Sequence, residues 1–429
     1  MTSNTARDEA GDVKQSSESE SRATRGLKRA KVLGEAAKSL NNQGVSQTSL
    51  ADIARRVGVS RAALYYYFED QQDLVFQCYR QSCELMAQRL QQAREDGGDA
   101  LALIDAFVDG MLEDEDTEFA ALSEMAYLRA DQRGVILALY QSILDDVAGI
   151  LRTGAARGEV RPCDDRIVAQ AIIGLISWIP LARRWRTRET LSDADMVAAT
   201  KDLLRYGVAA DRVAPCPYRP FDLTPPGVPV TRIFDADTMA AARRESLLAA
   251  ASWIFNLKGI DATSLEEIAL LRGVTKKVIY HNVGDKETLV AECYRRSFQI
   301  YEGFQARQRA YEGPRIEAIC AQFHALAEAS FREDIAPLAP LAGLEALAEV
   351  PLEEIHASAG RIMENSLAIY AIGQAEGSIR PMKNKRAILS MHPGVFEWLP
   401  KWFDAFDAEQ RARAPAELAE LVRIGLLPT

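Results

Sequence analysis

The chain has almost none of the residue groupings by which enzymes and metalloproteins announce themselves. Its six cysteines form no CxxC pair, and its four histidines (His281, His324, His356 and His392) show no ligand spacing, so no metal is expected. No glycine-rich phosphate loop and no nucleophile–base set stands out among the many carboxylates, so neither catalysis nor a cofactor is expected. Two-residue apolar alternation is missing, which argues against a sheet protein. The longest apolar run, Ala171–Leu181, is too short to cross a bilayer and ends at Arg183 and Arg184. The first 24 residues are polar and rich in Ser and Glu, unlike a secretion signal. The expectation is a cytoplasmic chain with a disordered tail over residues 1–24.

What is present has helical period. Leu33, Ala36, Ala37 and Leu40 form one stripe, and Leu74, Val75, Cys78, Tyr79, Ser82 and Met86 another. Val168, Ala171, Ile172, Leu175 and Trp178 form a third, and Met196, Val197, Thr200, Leu203 and Leu204 a fourth. With 429 residues, 48% of them apolar, the chain needs more than one core, so an all-α protein of two or more domains is expected. Six prolines between Pro215 and Pro229 cannot continue a helix and mark an extended connector over 211–239. The net charge is −10, unevenly spread. Arg25–Arg61 carries eight bases against two acids and Arg243–Lys277 six against four, which leaves −18 for the remainder. A basic footprint on an acidic body suits local docking on an anion without indiscriminate adhesion.

The sequence is written twice. Residues 44–82 and 259–297 align without a gap at an offset of 215. Gly44, Thr48, Ser49, Leu50, Ile53, Ala54, Gly58 and Tyr65 recur as Gly259, Thr263, Ser264, Leu265, Ile268, Ala269, Gly273 and Tyr280. Asp70, Leu74, Cys78, Tyr79 and Ser82 recur as Asp285, Leu289, Cys293, Tyr294 and Ser297; the cysteines fall on an apolar stripe and read as small core residues. Gly154–Pro162 resembles Gly373–Pro381, and Trp178-Ile-Pro180 resembles Trp398-Leu-Pro400, so the duplication runs from end to end.

Within each copy the local chemistry spells a helix-turn-helix. Ser49 followed by Asp52, and Ser264 followed by Glu267, are capping-box arrangements that start a short helix. That helix stops at Gly58 or Gly273, where the turn needs no side chain. Ser60 and Thr275 then cap a second short helix, expected over Arg61–Phe68 and Lys276–Val283. Such a helix can enter a major groove with its first side chains.

Thr48–Phe68 resembles the DNA-binding head of the TetR/AcrR family of bacterial transcriptional regulators, and Thr263–Val283 is a more worn version of the same pattern. As a whole the chain resembles tandem TetR-type repressors of actinobacteria. The resemblance implies two units: a first head at 25–70 with a helical ligand-binding and dimerisation body at 71–210, and a second head at 240–285 with its body at 286–429. It implies that Arg61, Ala62, Tyr65 and Tyr66 face DNA, with Thr48, Ser49, Ser60 and Tyr67 near phosphates. In the second head the matching set is Thr263, Ser264, Thr275, Lys276, Lys277, Tyr280, His281 and Asn282, with Lys286 at the start of the following helix. The first head has Gln71 where the family has that lysine; the second has Val283 for an aromatic and Arg272 for a small apolar residue.

In the family, two bodies pair their last two helices into a four-helix bundle. Here the two units of one chain are expected to form that pair as an intramolecular pseudo-dimer, with room for a higher oligomer. Asp164–Ala182 and Asp193–Val208 are the candidate bundle helices of unit one, and Val395–Phe403 and Ala416–Leu426 their shorter counterparts, the first interrupted at His392-Pro-Gly394. Trp178 and Trp398 are placed in the core or bundle. The expected partners are a double-stranded DNA operator, imperfect or asymmetric because the heads differ, and a small apolar effector of lipid, steroid or acyl type. The alternative reading is an interaction or scaffold protein whose second helix-turn-helix no longer binds DNA.

Overall fold

The structure, a computed structural model, describes residues 29–111, 118–186, 191–224, 230–232, 234–339, 347, 349–396, 398–401 and 406–429. The expected tail over 1–24 lies outside them. In the first unit, α1 (29–47), α2 (Leu50–Val57) and α3 (Arg61–Leu64) make the head. Its body comprises α4 (Gln71–Asp96), α5 (Ala100–Gly110), α6 (Ala130–Ala156), α7 (Asp165–Ala182) and α8 (Asp193–Tyr206). The second unit repeats the plan with head helices α9 (Ala236–Lys258), α10 (Leu265–Leu271) and α11 (Lys276–Asn282). Its body holds α12 (Lys286–Ala310), α13 (Arg315–Ser330), α14 (Glu349–Ala375), α15 (Lys385–Phe396) and α16 (Ala408–Ile424). Among the described residues every regular element is helical, apart from one antiparallel bridge between Ala209 and Ile379. The connector gives way to α9 at Ala236, inside the stretch read as linker, because the Asp235 carboxylate accepts from the Thr238 amide at 3.0 Å and caps the helix.

Each head is clamped to its own body by the same residues. The Asn41 side chain donates to Phe119 O (2.6 Å) and accepts from the Ala121 amide (2.9 Å). Asn256 does the same with Pro337 O (2.8 Å) and the Ala339 amide (2.8 Å). Ser82 and Ser297 accept from the Ala120 and Leu338 amides at 2.9 and 2.6 Å. Buried amides in these irregular segments thereby find partners that no helix could supply.

The units meet through α7 and α8 on one side and α15 and α16 on the other. At the centre, a Cβ on Gly174 would lie 2.1 Å from Trp398 Cδ1 and 2.7 Å from the Gly394 carbonyl. One on Gly394 would lie 2.9 Å from Trp178 Cβ and 3.0 Å from Leu175 Cα. Each helix thus presents a glycine to the opposite unit's repeat-equivalent tryptophan, Trp178 within α7 and Trp398 just beyond α15, the reciprocity of an isologous contact. The bundle edge is reciprocal too. Arg161 Nε donates to Gly425 O (2.7 Å) and Arg380 Nε to Gly207 O (2.8 Å). The Arg161 amide donates to Leu426 O (2.9 Å), and the Arg380 amide to Val208 O (3.0 Å).

Two expectations about the second pair of bundle helices are corrected. The helix expected at Val395–Phe403 runs instead from Lys385 to Phe396, and His392-Pro-Gly394 lies within it. Pro393 forgoes one helical hydrogen bond, and Gly394 is where α7 comes closest, so the sequence break marks a contact rather than an end. The last helix starts at Ala408, capped reciprocally by Asp407 and Gln410, and carries Pro415 in its interior. Residues 397 and 402–405 lie outside the described set. Helices α6 and α7 are long and apolar enough to cross a membrane by length and composition; 78% of the α7 window is buried in the fold, which accounts for its apolarity.

Because the glycine contact leaves no space for a methyl group, Gly174→Ala is expected to destabilise the chain by about 1–3 kcal/mol. Equilibrium urea unfolding checks this; an unchanged midpoint would mean that the units do not pack through this crossing.

Candidate nucleic-acid interface and cavity

In the first head, the Ser49 hydroxyl caps α2 by accepting from the Ala51 amide, but Asp52 turns away from the cap and pairs with Arg55. The helix ends at Gly58, whose φ of 74° is left-handed. Ser60 then accepts from the Ala63 amide (3.1 Å). The second helix is shorter than expected: α3 closes at Leu64, and Tyr65–Tyr67 continue as turns in which Tyr67 N–H bonds back to Leu64 O (2.9 Å). Leu64 and Phe68 are buried and anchor it from below. Arg61 and Ala62 are exposed, and Tyr65 and Tyr66 are 47% and 73% exposed. Arg61 donates to the Tyr65 hydroxyl (3.1 Å) and lies over its ring. Tyr67 is half-buried, edge-on to Tyr66 at 5.5 Å.

The second head repeats this geometry with altered charge. Ser264 and Glu267 form the full capping box of α10. Thr275, Lys276, Lys277, Tyr280 and His281 are exposed, and Lys276 lies over the Tyr280 ring as Arg61 does over Tyr65. Lys276, however, is also paired with Glu266 at 2.7 Å, a bond that raises the lysine pKa and lowers that of the carboxylate. Where α2 carries exposed Arg55 and Arg56, α10 carries Leu270 and Leu271, with Leu270 81% exposed. Arg55 and Arg56 belong to the basic face of the first head, although the motif did not single them out. The out-of-pattern Arg272 donates to Ser246 O (3.0 Å) and pairs with Glu333, so it fastens the head to its body.

Four of the implied contacts, Thr48, Thr263, Lys286 and Asn282, are placed differently. Thr48 and Thr263 are buried, and their hydroxyls donate to Gly44 O (2.6 Å) and Gly259 O (2.8 Å). They lock the turn before α2 and α10, because a threonine there can satisfy a carbonyl that the preceding helix leaves open. Lys286 is half-buried with its ammonium toward Asp261 O (3.4 Å), and desolvation lowers its pKa. Gln71, its counterpart, donates to Val45 O (2.8 Å) and Thr48 O (2.9 Å), so both residues brace the loop rather than reach outward. The Asn282 amide likewise bonds its own helix at Val278 O. The heads touch through equivalent positions of the repeat, the Ser46 amide at the end of α1 donating to the Asp261 carboxylate at 2.9 Å.

A cavity of about 210 Å³ lies in the second unit among α12, α13, α14 and α15, closed on one side by Trp178, Ala182 and Trp185 of the first unit. No Asp, Glu, Lys or Arg lines it among the described residues. Its polar groups are neutral: Tyr301, Gln322, Ser366, Tyr370, Ser390 and His392 are among them. Burial holds His392 at about 3, so its imidazole is uncharged; Tyr370 OH lies 3.4 Å from its Nε2 and Phe323 stands edge-on to it. The Trp185 indole N–H is buried without a partner among the described residues. Trp178 belongs to both places, since its N–H donates to Ser390 O (2.7 Å) across the bundle while its ring faces the cavity.

A domain described as "Bacterial regulatory proteins, tetR family" matches this chain twice, over residues 32–78 and 247–293. A "Tetracyclin repressor-like, C-terminal domain" matches residues 101–185. This chain carries the TetR-family DNA-binding domain twice. It carries two tandem TetR-type units, and the two family matches fall on the two heads described above. The HTH-type transcriptional regulator AcrR of Shigella flexneri is 30% identical over 126 residues, 26% of this chain and 59% of that relative, so the chain spans less than two thirds of the relative's length. Among solved structures, the TetR-family regulator PfmR from Thermus thermophilus is 24% identical, covering 40% of this chain and 95% of its own, at a TM-score of 0.35. FadR from Bacillus subtilis, solved with stearoyl-CoA, is 20% identical with coverages of 40% and 95% and a TM-score of 0.32.

His392 makes stability pH-dependent. Its pKa falls from 6.5 to about 3 on folding, so the unfolded chain binds the extra proton between those values. Its contribution is complete above pH 6.5 and is lost as pH falls toward 3. His392→Gln is expected to remove about 1.4 kcal/mol per pH unit from the slope of unfolding free energy in that window. Urea unfolding from about pH 4 to 7 checks it; parallel profiles for the two proteins would refute the buried neutral imidazole.

Proposed function

We propose that this chain is a TetR-family DNA-binding transcriptional repressor that acts as an intramolecular pseudo-dimer in the cytoplasm, without enzymatic activity. The observation that carries the proposal is the pairing of two helix-turn-helix heads on one reciprocal four-helix junction, with Arg61, Tyr65 and Tyr66 exposed on the first. Arg61 can fork onto a guanine edge while the tyrosines and the Ser60 cap meet the backbone. Two heads reading successive major grooves on one face must stand about 34 Å apart. Since the heads differ in their outward residues, the operator is imperfect or asymmetric.

The heads contribute unequally in this reading. Lys277 and His281 are presented outward, but Lys276 is shared with Glu266, and Leu270 and Leu271 replace arginines where the helix would cross the phosphates. Nearly all the affinity then comes from the first head. The exposed leucines also favour the second reading, in which the second head touches protein rather than DNA.

The cavity supports an uncharged, largely apolar effector. With no charged side chain in its lining, it offers nothing to a phosphate or carboxylate. At about 210 Å³ it exceeds the ~150 Å³ cavity that holds benzene, and suits a bicyclic ring or a medium-length chain. The buried core of the second head is a cluster separate from the main core, and Tyr294 and Leu338 of that cluster line the cavity opposite Phe323 and Leu326 of the main one. A ligand there touches both clusters and so bears on the position of the second head.

Gel shifts with the DNA upstream of the protein's own gene test the DNA reading. Arg61→Ala is expected to weaken binding about tenfold or more, Lys277→Ala by less, and wild-type binding should fall steeply with salt. Binding that neither variant alters would sink the two-headed reading. For the cavity, neutral N-phenyl-1-naphthylamine should bind with quenching of tryptophan fluorescence, while the anionic anilinonaphthalene sulfonate binds at least about tenfold more weakly, the cost of an unpaired charge. Equal binding of both dyes would contradict a neutral site.

A further inference from the structure

The connector between the units brings together two cysteines that the sequence keeps far apart. Cys216 Sγ lies 3.8 Å from Cys320 Sγ, although the two are 104 positions apart in the chain. Cys216 sits between Pro215 and Pro217 in irregular backbone and is partly exposed, whereas Cys320 is buried on α13. A disulfide needs the sulfurs at about 2.05 Å, so a shift of under about 2 Å by the irregular connector would close it. The surroundings assign the two roles. Arg423, itself only 8% exposed, donates to Ala214 O (3.0 Å) beneath the connector. The Cys320 thiol and this guanidinium both favour the Cys216 thiolate and lower its pKa, while the neighbouring sulfur and burial raise that of Cys320. The other four cysteines lack this setting: burial raises Cys83, Cys163 and Cys293 to about 12 and Cys78 above its ordinary value.

We propose that Cys216 and Cys320 form a reversible intramolecular disulfide when the chain meets a peroxide. The Cys216 thiolate attacks one peroxide oxygen, the O–O bond breaks, and the departing hydroxide takes a proton to leave as water, with Cys216 oxidised to the sulfenic acid. The Cys320 sulfur then attacks the Cys216 sulfur. The S–O bond breaks, the Cys320 proton goes to the leaving hydroxide, and a second water departs. Two thiols and one hydrogen peroxide give one disulfide and two waters. A bond of this kind in a reducing compartment is transient and acts as a sensor rather than a staple. It lies where it can have an effect. The connector already rests on α13 through Tyr218 OH and His324 Nδ1 (3.0 Å), and residues Ile319, Phe323 and Leu326 of the same helix line the cavity. Covalent closure fixes that wall to the segment joining the units.

The test treats the full-length chain with hydrogen peroxide, alkylates the remaining thiols, and maps peptides without reduction. The expected result is one linked peptide pair joining Cys216 to Cys320, loss of two of the six thiols, and their return with dithiothreitol. Proteolysis within 211–224 should also slow on oxidation. Cys216→Ser and Cys320→Ser should each abolish the linked pair, and Cys216→Ser, being in the connector, serves even if the core variant misfolds. The proposal is overturned if Cys216 stops at a sulfenic or sulfinic acid, if it links two chains, or if other thiols are consumed first. None of these outcomes depends on whether the chain binds DNA.

Discussion

The bodies of the two units cross at α7 and α15, where Gly174 and Gly394 leave no room for a side chain: a Cβ on Gly174 would meet Trp398, just beyond α15, and one on Gly394 would meet Trp178 of α7. Everything that makes the chain one object rather than two depends on this crossing. The reciprocal arginine-to-carbonyl bonds at Gly425 and Gly207 can form only if the helices lie this close, and so can the Trp178 bond to Ser390. In a symmetric dimer such a contact is limited by subunit concentration. Here the connector turns it into an intramolecular contact with a high effective concentration.

Covalent linkage also frees the two sides of the interface to differ. Arg161 pairs with Glu417 on the opposite unit and Arg380 with Asp202, residues that are not repeat equivalents. The Trp178 indole has a partner, whereas the Trp398 indole is buried without one among the described residues. In the heads, Phe68 is fully enclosed in the main core, while its counterpart Val283 is only partly buried against the smaller cluster. A mutation in a homodimer strikes both halves at once. In this chain each copy can lose an aromatic or gain a glutamate while the other keeps its function.

Much of this could be read from the chain, and the exceptions have a common cause. Helical period, the duplication, the capped helix-turn-helix and the outward Arg61, Tyr65 and Lys277 positions depend on short-range pattern, which sequence displays directly. Thr48 and Thr263 look like surface hydroxyls by pattern, yet point inward because a carbonyl four residues back needs a donor. His392-Pro-Gly394 looks like a helix break, yet the helix runs through it because its glycine is needed by a partner far along the chain. The cavity, the clamp by Asn41 and Asn256, and the Cys216–Cys320 approach are all long-range meetings, invisible to any local window.

The placement of the cavity decides how a ligand could act. The first head shares one continuous core with the body, so it has no internal boundary for a small molecule to fill. The second head has its own cluster, joined to the rest partly across the cavity, with Trp185 packed against both. A ligand shifts an equilibrium only by its differential affinity for the two states. Filling this space favours whichever position of the second head keeps both walls within contact. By linkage, whatever fixes the second head, DNA or protein, must change ligand affinity by the same factor. The worn copy, which looks the less important on charge alone, is therefore the one through which regulation would act.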